Sequence, residues 1–126
     1  MQGAARLFFT LAIIYAILGM LLGLKMAISN DHGEMVTHTH VMLVGWVTSA
    51  LLAYFYHLFP ATGSKPIVTF HFWFQAASTV VMLGSLFLFY GGNPSAEPGA
   101  AVGAIGFALS MLLFAYIALP VVWKSK

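Results

Sequence analysis

Four apolar runs, each long enough to cross a bilayer, constrain this chain more than any other feature. Residues 5–28, 35–59, 66–90 and 100–123 each exceed the roughly 20 residues that a helix needs to span the hydrocarbon core. The breaks between them read SNDHGE, PATGSKP and GGNPSAEPG, where Gly, Pro, Asn and Asp end helices and reverse the chain. Links this short make consecutive helices antiparallel neighbours. The expected fold is therefore all-α: one integral-membrane four-helix bundle occupying residues 1–126 as a single domain, with no internal repeat at a fixed period.

Composition agrees with that placement. Of the 126 residues, 61% are hydrophobic and 6% are charged, too few polar side chains to cover a soluble domain. The chain has no cysteine, which excludes disulfides, thiolate metal sites, iron–sulfur clusters and covalent c-type haem attachment. Five Lys and Arg residues cannot build the basic patch that phosphate contacts require, so nucleic acid is not an expected partner. The first run is too long for a signal-peptide core and is expected to be retained. Arg6, Lys65, Lys124 and Lys126 fall on one side of the predicted bundle, and Lys25, Asp31, Glu34 and Glu97 on the other. By the positive-inside rule both termini are expected in the cytoplasm, with a bacterial inner membrane as the natural setting.

Small residues spaced for close helix contact occur in the first run (Gly19, Gly23) and the fourth (Gly99, Gly103, Gly106). Either packing within the chain or an interface between copies would use them.

Histidine inside a span is costly unless it faces a partner or a cavity, so each of the five is a candidate functional residue. His38 and His40 begin the second run. His57 ends it and His71 opens the third, both near the opposite membrane edge. His40 and His57 lie 17 residues apart, about 25 Å along a helix, so one metal cannot use both. Residues two apart on an α-helix differ by roughly 200° around its axis, so His38 and His40 address nearly opposite sides. A single bundle has one interior. A helix with ligands on two faces suggests that one looks into its own bundle and the other across a subunit boundary.

Neutral imidazoles in an apolar setting suit the axial positions of a b-type haem, whose macrocycle needs little else from the protein. Copper is the weaker expectation, because copper and zinc favour three or four convergent ligands. The alternative is that the two rings hydrogen-bond neighbouring groups and fasten helices together.

The segment His38-Thr39-His40, with Gly45 seven residues beyond His38, resembles the second helix of subunit I in the haem–copper oxidase superfamily. The cytochrome c oxidase and nitric oxide reductase branches read His-Thr-Asn there, and the first His ligates the low-spin haem. LFFTLAIIYAILGMLLGLKMA and HFWFQAASTVVMLGSLFLFYGG resemble that family's first and third helices. With His40 in place of Asn, the His-x-His pattern is similar to the family's tenth helix, whose two histidines serve different haems on opposite faces. That subunit has about twelve helices in three similar arcs, so the resemblance implies a homotrimer of this chain, with His38 of one protomer and His40 of the next clamping a haem b. The family's His-His copper ligands, its active-site tyrosine and acidic residues inside the spans have no counterpart. Oxygen reduction is accordingly not expected, and the chain is not read as an enzyme. A bis-His iron favours electron transfer, with quinol or a cytochrome as redox partner. A non-redox accessory or assembly protein of a respiratory complex, handling haem or copper, is the alternative function.

Other side chains complete the expected site. Thr37 and Thr39 are placed to orient the imidazoles. Trp46, eight residues beyond His38, either stacks on a macrocycle or faces lipid. Lys25 snorkels outward or pairs with a propionate or Glu34. His57 and His71 form a second haem site or a quinone contact, or are interfacial histidines with wet ring nitrogens. His32 reads as a loop residue.

Overall fold

The computed structural model describes residues 1–124, so Lys126, used above to orient the chain, lies outside the described residues. Among them the fold is entirely helical. The first helix is Gly3–Ser29, the second runs from Met35 to Leu58, the third is Pro66–Tyr90, and the fourth is Glu97–Lys124. All four are long and apolar enough to cross a membrane. They match the four apolar runs to within a few residues at each end.

Local chemistry sets the ends. Asn30 takes a left-handed conformation (φ 57°) that stops the first helix. Pro66 opens the third and Pro60 opens the short helix Pro60–Gly63 that turns the chain after the second, each at a position where no backbone donor is needed. A single 3-10 turn, Pro94–Ala96, leads into the fourth helix, which continues through Pro120 to its end.

Consecutive spans pack most closely, the first on the second and the third on the fourth. The glycines make close contacts within the chain. A Cβ at Gly103 would collide with the backbone nitrogen of Met82, and Gly99 and Gly106 admit Ser85 and Ser78 in the same way. Gly19 admits Met42 and Gly23 the ring of His38. Because lipid is as apolar as a side chain, such close approach, with the dispersion contacts it allows, holds membrane helices together.

The core has two parts. Toward the Gly3 end, Phe8 meets Phe72 edge-on (ring centroids 5.0 Å apart) and Tyr56 at 5.8 Å, among Leu52, Val68 and Ile117. Toward the Glu34 end, Tyr15, Val41, Met82 and Leu83 cluster with Trp46 and Phe107 against them. Elsewhere large apolar side chains such as Ile17, Leu21, Leu51 and Leu112 face outward, as lipid-exposed helices require.

The second helix is not a regular α-helix throughout. Val41–Val47 is π-helical, and Thr48 donates both its backbone N–H and its hydroxyl (2.8 Å) to the Leu43 carbonyl. Its buried positions Thr37, Val41, Gly45 and Ser49 recur every four residues. An unbroken α-helix would alternate threes and fours, and the wider π turn absorbs the drift so that one face stays inward.

Candidate functional site

The histidine pair lies in the regular first turns of the second helix, before the π segment. His38 turns to the first helix. Its Nδ1–H donates to the Gly19 carbonyl at 2.8 Å, and its ring covers Gly23 so closely that a Cβ there would lie 2.8 Å from Cε1. His40 donates from Nδ1 to the Val36 carbonyl, also at 2.8 Å. Both rings are half-buried. A carbonyl only accepts, so each neutral ring carries its proton on Nδ1 and its lone pair on Nε2. Fixing the tautomer through the far nitrogen is the arrangement by which proteins present a histidine to a metal.

The threonines have a different task from the one expected. The buried Thr37 hydroxyl donates to Glu34 Oε1 at 2.7 Å, and Thr39 donates to the Met35 carbonyl at 2.9 Å. Backbone carbonyls, rather than threonine hydroxyls, orient the two rings. Gly45 admits the Tyr15 ring, where a Cβ would come within 2.6 Å of Cγ, and Trp46 packs beside that cluster. Neither is brought to His38 by the fold of one chain. Lys25 lines a polar cleft of about 220 Å³ with Ser29, Asp31 and Glu34, and also the apolar groove below it formed by Tyr15, Leu18, Val80 and Phe87. His32 is an exposed loop residue bonded to the Asn30 carbonyl.

At the other end the structure separates His57 from His71. His57 is exposed and lines the mouth of a cleft of about 550 Å³ with Gln2, Ser64 and Thr69. His71, expected to be wet, is 0% exposed. It stacks on Phe114 (centroids 5.7 Å, planes 19° apart), lies 5.3 Å from Phe8, and shares a hydrogen bond of 2.9 Å between Nδ1 and the Tyr56 hydroxyl. Depth along the helix suggested the membrane edge, but the inward face of the helix decided the environment.

Sequence reasoning passed over the remaining buried polar groups. Gln75 accepts from the Ser110 hydroxyl at 2.5 Å, Tyr15 donates to Thr79 at 3.1 Å, and Ser49 is fully buried. Their signal was present: His71, Gln75 and Thr79 fall four residues apart in a run, residues 71–79, where Ser78 is the one other polar residue. Among the described residues no three His, Asp or Glu side chains converge on a common point, so the donors of a single chain come singly.

Compared with protein-family profiles, curated proteins and solved structures, the chain matches none.

Proposed function

We propose that this protein is a membrane b-type cytochrome that holds haem by His38 and His40 and carries single electrons. One observation supports this reading above the others: both imidazoles are tied through Nδ1–H to backbone carbonyls at 2.8 Å, which leaves Nε2 as the ligating atom of each. Their surroundings suit an apolar macrocycle, with Met35, Val36, Leu43 and Val47 exposed nearby on the same helix. His38 turns to its own first helix, and the two rings leave the helix on different sides. One chain would therefore offer one histidine to each of two haems, and a neighbouring copy, in a trimer by the resemblance to the oxidase subunit, would offer the other. The haem, when bound, would supply one-electron chemistry, held by His38 and His40. The chain's own residues would bind and orient it: His38 and His40 would hold it through Nε2, the Gly19 and Val36 carbonyls hold the tautomers, and Lys25 would be the cation available to a propionate at the Glu34 end.

The test is the reduced-minus-oxidised spectrum of the purified full chain after haem supplementation, alongside His38→Ala and His40→Ala. Low-spin bands at one haem per chain, lost in either variant, are expected. A colourless protein, or spectra unchanged in both variants, would overturn the reading and favour an accessory protein whose histidines pack helices.

A further inference from the structure

The interior of the bundle carries a file of polar side chains that haem ligation does not use. His71, Gln75 and Thr79 recur every four residues on the inward face of the third helix, each 0% exposed. Tyr56 meets the file at His71, Ser110 at Gln75, and Tyr15 at Thr79. These bonds leave three buried atoms unpartnered among the described residues: His71 Nε2, Gln75 Nε2 and the Ser49 hydroxyl oxygen. Folded proteins leave few such atoms unmade, and the usual partner is an internal water with two to four polar neighbours.

The register brings the three orphans to neighbouring levels. His71 and Gln75 are one turn apart on one face, about 6 Å along the axis, a gap that one water closes with two hydrogen bonds of ordinary length. Tyr56 sits at the level of His71, and Ser49 is seven residues away on the antiparallel second helix. That places Ser49 about 10 Å farther in, between the levels of Gln75 and Thr79. The chemistry is compatible at each atom. Gln75 Nε2 donates, the Ser49 hydroxyl donates or accepts, and His71 Nε2 does whichever its bond to Tyr56 leaves it. The cleft of about 550 Å³ at the Gly3 end reaches Tyr56, whose hydroxyl is bonded to His71.

We infer that the His71–Gln75–Ser49 face is an internal water-binding site, filled from the Gly3 end past Tyr56. It keeps a buried imidazole hydrated and its proton exchangeable inside an otherwise apolar bundle.

The experiment uses the full chain in lipid vesicles with ¹⁵N-labelled histidine, and measures magnetisation transfer from water protons to each ring. The His71 signal is assigned by its loss in His71→Phe. His71 is expected to receive transfer at a rate comparable to exposed His57, and to lose most of it in Gln75→Leu. Ser49→Ala provides a second readout by thermal unfolding: at a hydrated site it removes a water partner and lowers Tm, whereas at a dry site it removes an orphaned hydroxyl and raises it. A His71 ring that receives no transfer from water, or a Ser49→Ala protein that melts higher, overturns the inference.

Discussion

Two histidine environments in one bundle are built on opposite principles. At the Glu34 end, His38 and His40 are half-buried, each tied to a backbone carbonyl through Nδ1 with Nε2 turned away from it. At the Gly3 end, His71 is wholly enclosed by Phe8, Tyr56 and Phe114, with a side-chain hydroxyl on Nδ1 and no partner on Nε2 among the described residues. His40 can lose its ring without opening a core, whereas the His38 ring packs on Gly23 of the first helix. The inner residue is itself core. Burial therefore separates the half-buried pair from the histidine built into the core, and sequence depth alone does not reveal which is which.

The largest expected contrast is in cofactor retention. His38→Ala and His40→Ala should each abolish haem binding, while His71→Phe, which keeps an aromatic ring in the same cage, should retain it at near wild-type stoichiometry. Haem titration of the purified variants measures this, and equal loss in all three would erase the distinction between the two ends.

Stability without cofactor should reverse the ranking. His71→Ala leaves a hole among packed rings and should cost about 2–4 kcal/mol, read as a lowered midpoint of unfolding in detergent. His40→Ala of the apoprotein should stay within about 0.5 kcal/mol, because the ring fills no enclosed space. A comparable loss at His40 would show that it, too, is structural.

A smaller effect sharpens the outer site. Gly23→Ala puts a methyl within 2.8 Å of His38 Cε1, so the ring must shift. Overpacking of this kind costs about 1–3 kcal/mol, and haem affinity should fall more than stability does, because Nε2 moves with the ring. Affinity unchanged alongside a lower melting point would separate His38 from the iron.

The smallest effect is at the inner pair. Tyr56→Phe removes the hydroxyl from His71 Nδ1 and should cost roughly 1 kcal/mol, as single hydrogen bonds do in membrane interiors, with no change in the haem spectrum.

Much of the fold was legible because its cause is local. A bilayer imposes length and apolarity on every span, and Gly, Pro and Asn mark the turns, so the helix bounds follow from residues read in order. The different directions of His38 and His40 were also legible, since they depend only on the helical repeat and precede the irregular segment. The π segment at Val41–Val47 was not legible. It arises from keeping Gly45 against Tyr15 and Ser49 inward at once, which is a condition set by packing on the first helix. Nor was the enclosure of His71 legible, because its position near a span's end pointed to headgroups and only the packing of Phe8 and Phe114 excluded them.

By itself the sequence determined that the chain forms four membrane-length helices, that consecutive ones run antiparallel, and that no thiolate chemistry is open to it, because these rest on composition and on spacing along one strand of chain. The tertiary structure decided which face of each helix turns inward. It thereby decided which carbonyl holds the His38 ring, which glycines admit which side chains, and which polar groups are sealed in, because those depend on atoms far apart in sequence.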